Sequence, residues 1–126
     1  HGTLVTAMHG HLAFWGAYGM IVLAIITYSM PNMTGRKLYN TVNGSLAFWL
    51  SNIGMIGMTV AFGVAGVAQV YMERIMGVEF GDVQKEIQIH FAILIICATM
   101  FSVGIGLFIY EFLRYGQPND EALIKE

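Results

Sequence analysis

Three stretches of this chain contain no Asp, Glu, Lys or Arg: Leu4 to Met30, Gly44 to Met72 and Ile87 to Tyr110, of 27, 29 and 24 residues. Each exceeds the roughly 20 residues with which an α-helix crosses about 30 Å of hydrocarbon. The fourteen charged residues, 11% of the 126, are confined to the segments between and after these stretches, and that share is less than half the usual one. An ordinary water-soluble fold is excluded. The pattern predicts an all-α membrane protein with three transmembrane helices, over about 4–30, 44–72 and 87–110, in one transmembrane segment that ends in a polar tail, 111–126.

The connections follow from the breakers and charges. Ser29-Met30-Pro31-Asn32 is expected to stop the first helix, and Thr34-Gly35-Arg36-Lys37 marks an aqueous boundary. Glu73 to Glu86 gathers two basic and four acidic residues around Gly77 and Gly81, a longer connection outside the hydrocarbon. Three spans put the first connection and the tail on one side with four Lys/Arg, and the N-terminus and second connection on the other with two. The positive-inside rule then points to a cytoplasmic C-terminus. The first span lacks the basic start and the short apolar core of a signal peptide, and a chain that opens on His1 rather than Met reads as a fragment or a processed chain.

Small residues crowd the later spans: Gly54, Gly57, Gly63 and Gly66 with Ala61, Ala65 and Ala68, then Gly104 and Gly106. In lipid such residues let helix backbones approach closely, so they are read as packing surfaces and not as a phosphate loop, which needs a preceding strand. The nine Met, among them Met55, Met58 and Met100, are read as core filler. Cys97 is the one cysteine, so neither an intrachain disulfide nor a CxxCH haem attachment exists. No basic patch calls for nucleic acid.

Ionisable groups inside a span are the residues expected to carry function. Met8-His9-Gly10-His11-Leu12 sets two histidines at i and i+2, about 200° apart around a helix that advances about 100° per residue. One ion cannot bind both. The spacing suits a helix held between two cofactors, each taking one neutral imidazole as axial ligand, and haem iron fits that arrangement. A ring on His9 would cover Thr6, Leu12, Ala13 and Gly16, while Trp15, Tyr18 and Val22 would border a ring on His11. The competing reading has both histidines hydrogen-bonding neighbouring helices. His90, one turn inside the third span, is read as interfacial or hydrogen-bonding, and Glu73, Glu79 and Glu86 as solvated connection residues; no carboxylate pair or nucleophile with nameable partners lies in a span.

Met8-His9-Gly10-His11, with Gly16, Gly19 and Met30-Pro31-Asn32-Met33-Thr34-Gly35-Arg36, resembles the haem-ligand helix of the haem–copper oxidase superfamily. Leu12-Ala13-Phe14-Trp15-Gly16-Ala17-Tyr18, and Gln69-Val70-Tyr71-Met72-Glu73-Arg74 leading to Val83-Gln84-Lys85-Glu86, are closest to its branch of nitric oxide reductase large subunits. The resemblance covers essentially the whole chain and implies the last three helices of a twelve-helix bundle. It implies that His9 is the proximal ligand of a high-spin haem b and His11 an axial ligand of a low-spin haem b. The implied reaction is reduction of two nitric oxide molecules to nitrous oxide and water, beside a non-haem iron bound by residues outside this sequence. The implied partners are the remainder of the catalytic subunit and, in the cytochrome-linked type, a membrane-anchored cytochrome c subunit, in a bacterial inner membrane. An oxygen-reducing cbb-type oxidase segment, a bis-histidine electron-transfer cytochrome and a non-catalytic membrane helix bundle are the alternatives.

Overall fold

The computed structural model describes residues 2–34 and 41–115, and every regular element in them is helical. The order is α1 (Leu4–Ala13), a π turn (Phe14–Gly19), α2 (Met20–Thr34), α3 (Thr41–Val70), a second π turn (Tyr71–Ile75), α4 (Phe80–Glu86) and α5 (Gln88–Tyr115). Among the described residues, three helices are long and apolar enough to cross a membrane, Leu4–Ser29, Val42–Ile75 and Gln88–Leu113, with mean hydropathies of 1.6, 1.8 and 2.5.

α3 is the hub. Its buried residues, Ala47, Ser51, Gly54, Met55, Met58, Ala61, Ala65, Gly66 and Gln69, recur at helical spacing and are mostly small. Both neighbours run antiparallel to it. The end of α5 meets the start of α3, where a Cβ on Gly104 would lie 2.5 Å from the Ser51 nitrogen and one on Gly54 2.6 Å from the Phe101 nitrogen. The start of α1 meets the end of α3, where a Cβ on Gly66 would lie 2.6 Å from the Val5 nitrogen. Gly54, Gly66 and Gly104 therefore bring helices together backbone to backbone, as van der Waals association in lipid requires, whereas Gly57 and Gly63 meet the Cys97 and Met8 side chains and Gly106 packs against no other helix of the described residues. Met55 and Met58 fill the stripe between them.

Pro31 does not stop the first helix as expected: α2 continues to Thr34. Proline's fixed φ is itself a helical value, and its cost inside a helix is the missing N–H and the crowding of the preceding turn, so near an end a few more residues can follow. Gly35 to Asn40 and the tail from Gly116 onward lie outside the described residues. The connection after α3 is more ordered than a solvated loop. Gly77, at φ +69°, turns the chain, and α4 then folds back so that Val83 and Ile87 are fully buried. Asp82 and Lys85 pair at 2.8 Å on its exposed side, a contact worth little.

Glu111, placed in the polar tail by its charge, instead stands on α5 at 3% exposure and accepts a 2.6 Å hydrogen bond from Asn43 Nδ2 on α3. Away from water, each group needs the other. In the detergent-solubilised complex, a double-mutant cycle over Asn43→Ala and Glu111→Ala should give a coupling of about 0.6 kcal/mol, the average for interhelical hydrogen bonds in membranes, and no more than their maximum of about 1.7 kcal/mol. Strict additivity would mean that the pair contributes no clasp.

Candidate functional site

The two intramembrane histidines stand on α1, in its second turn, with α3 behind them. Besides the close approach of Val5 to Gly66, this helix is fixed by attachments to Gln69 and, two turns earlier on α3, to the adjacent Gly63 and Phe62. Gln69, at 3% exposure, accepts a 3.1 Å hydrogen bond from the Leu4 N–H, one of the orphan donors of a helix start, and gives its own Nε2 proton to Glu73 Oε1 at 2.9 Å. Gly63 admits the Met8 sulfur. The His11 ring then lies against the Phe62 ring, with centroids 5.2 Å apart and planes tilted by 32°.

His11 is further fixed by a 2.8 Å hydrogen bond between Nδ1 and the Ala7 carbonyl one turn back. A carbonyl only accepts, so Nδ1 carries the proton and the lone pair of the neutral ring is on Nε2. That is the tautomer a metal ligand adopts when its second nitrogen is held by a carbonyl. His9 is exposed and has no hydrogen-bond partner among the described residues. The residues expected beneath a ring on His9, namely Thr6, Leu12, Ala13 and Gly16, are all exposed, so that face is open. Expectation and structure differ on the other face. Trp15 is taken up by α5, edge-on to Phe101 at 4.8 Å, while Tyr18 and Val22 stay exposed.

The first π turn begins three residues after His11, where Met20 N–H bonds to the Trp15 carbonyl five residues back. Such turns recur at functional sites, and here the extra residue shifts everything after Ala13 out of the register that α1 sets. Gly19 makes room for it: a Cβ there would lie 2.6 Å from the Trp15 ring.

The structure does not bring the other candidates together. His90 is half-buried on α5, and its Nδ1 is shielded from solvent with no partner among the described residues, so the hydrogen bond expected for it is not made at that nitrogen. No three His, Cys, Asp or Glu side chains gather as a metal site among the described residues. Sequence reasoning missed Phe62 and Gln69. Gln69 had a usable signal, a polar residue in line with Ala61, Ala65, Gly66 and Glu73 on an otherwise small and apolar stripe; Phe62 is one of eight Phe and had none.

The family described as cytochrome c and quinol oxidase polypeptide I matches residues 1–104. A nitric oxide reductase subunit of Stutzerimonas stutzeri is 34% identical over 125 residues, covering 93% of this chain. The chain spans 26% of that relative's length. On this extent of match, with three apolar helices and no strand among the described residues, the chain belongs to the cytochrome c and quinol oxidase polypeptide I family, the haem–copper oxidases, whose members carry haem.

Proposed function

We propose that this chain forms part of the catalytic subunit of a nitric oxide reductase, with His9 as the axial ligand of a high-spin haem b and His11 as an axial ligand of a low-spin haem b. The observation that carries the reading is the pair of imidazoles on opposite faces of one helix. His11 is locked with Nε2 free by the Ala7 carbonyl, and His9 is unpartnered on an open face. The donor set fits the group: each histidine offers one neutral nitrogen, and of the four residues on the His9 face three, Thr6, Ala13 and Gly16, are small.

The two haems supply the electron transfer and the binding of nitric oxide, which is reduced as 2 NO + 2 e⁻ + 2 H⁺ → N₂O + H₂O. This chain's part is to hold one ligand on each face of a rigid helix, so that the two groups stand on either side of a single backbone. Gln69, Gly63 and Phe62 hold that helix against α3. The non-haem iron ligands and the low-spin haem's second ligand belong to segments outside this sequence, as does the cytochrome c subunit or quinol site that donates electrons. The membrane is the bacterial inner membrane, with the C-terminus cytoplasmic by the Lys/Arg asymmetry.

Optical spectra of the intact membrane complex, reduced with and without carbon monoxide, test the assignment. His9→Ala should lose the carbon monoxide-sensitive signal and keep the low-spin bands, and His11→Ala the reverse. Parental spectra in both variants would make these histidines structural and end the reading.

A further inference from the structure

We propose that Phe62 of α3 is a positioning residue that sets the plane of the His11 imidazole, and through it the electronic state of the haem that His11 ligates. The inference rests on the proposed role of His11.

An imidazole attached through Cβ has two torsions, and a ligand bond to Nε2 fixes the nitrogen's place without fixing the rotation of the ring about that bond. Two contacts remove this freedom in the structure. The Ala7 carbonyl holds the Nδ1 edge at 2.8 Å. The Phe62 ring lies against the imidazole, with centroids 5.2 Å apart and planes tilted by 32°, within the contact distance of paired aromatic rings. The hydrogen bond lies within α1 and moves with it, whereas Phe62 belongs to another helix. It therefore ties the ligand's rotation to the α1–α3 packing, and it stands in that interface, between buried Ala61 and Gly63, where the Met8 side chain of α1 is seated.

In a six-coordinate low-spin ferric haem the orientation of each axial imidazole plane sets how the iron orbitals split, so the g values of its electron paramagnetic resonance report that orientation directly. Haem content and protein abundance do not. Oriented contacts to a ligand ring are among the levers by which a protein tunes a bound metal.

The test uses the intact complex with Phe62→Leu, Phe62→Met and Phe62→Tyr. Leucine and methionine keep apolar volume but present no flat face; tyrosine keeps the ring. With haem content at the parental level, the two aliphatic variants should displace or broaden the largest low-spin g value and shift the midpoint potential of that haem, while Phe62→Tyr keeps the parental spectrum. Parental g values in all three variants would overturn the proposal, as would displacement in all three, since the effect would then not follow the ring. Loss of haem from both aliphatic variants with full loading of Phe62→Tyr would also overturn it, by showing that Phe62 supports the pocket as a whole rather than the ligand plane. His11→Ala separates this failure from the other: a parental low-spin signal in that variant sinks the role of His11 itself, whereas its loss together with unaltered Phe62 variants sinks only the role of Phe62.

Discussion

In the assembled complex, His9→Gly is expected to lower nitric oxide turnover roughly a thousandfold or more, equivalent to about 4 kcal/mol of barrier, with added imidazole recovering part of it. The size follows from the proposed role, because a haem without its proximal ligand loses both its position and the donor that tunes it. The rescue follows from the surroundings. No attachment of α1 to α3 passes through His9: Leu4 is held by Gln69, Met8 by the Gly63 notch and His11 by Phe62. Removing the imidazole therefore leaves the helix docked and opens a space bordered by Leu12, Ala13 and Gly16, into which a free imidazole can enter. The low-spin spectrum should be unchanged, since His11 keeps its bond to Ala7. Turnover at the parental rate in His9→Gly would show that the iron does not depend on this residue. Loss of turnover together with both haem signals and without rescue would instead point to a folding defect.

What the sequence made legible was whatever depends on spacing along one helix. The three spans stand out because charge is absent over 27, 29 and 24 residues, and the stripe of Gly and Ala reads as a packing surface because nothing else explains it in lipid. The opposed histidines follow from two residues and 100° per residue. Contacts between helices could not be read in this way. Asn43 and Glu111 are 68 positions apart, and Leu4 and Gln69 are 65 apart; each meeting depends on the antiparallel register of two helices, which composition does not encode. Glu111 looked like part of a tail for that reason, since a carboxylate is read as solvated until its buried partner is known. The π turn was hidden differently. Gly16 and Gly19 lie within it, but a glycine inside a span reads equally well as a packing position, and only the Trp15 ring folded over Gly19 reveals why a side chain there is not accommodated.

The second large effect concerns the α3–α5 interface, where two glycines face backbone rather than side chains. A Cβ on Gly54 would lie 2.6 Å from the Phe101 nitrogen and 2.7 Å from the Cys97 carbonyl oxygen; one on Gly104 would lie 2.5 Å from the Ser51 nitrogen and 3.0 Å from the Ala47 carbonyl oxygen. No rotamer change relieves these contacts, so alanine at either position forces the helices apart. Each substitution should cost about 1–3 kcal/mol, the usual range for overpacking. The double variant should cost less than the sum, because both residues open the same gap and the second methyl enters space that the first has made. Separation would also stretch the Asn43–Glu111 hydrogen bond at the same end of the pair. Gly106 supplies the comparison: it is on α5 with Gly104, a Cβ built there meets nothing within 4 Å beyond the adjoining backbone of its own helix, and Gly106→Ala should leave stability unchanged or slightly raised. The measurement is denaturant titration of the solubilised complex, read by loss of helix and of haem absorbance. Equal, small effects at all three glycines would mean that the close approach of α3 and α5 does not limit stability, and full additivity at Gly54 and Gly104 would mean that the two contacts yield independently rather than through one shared separation.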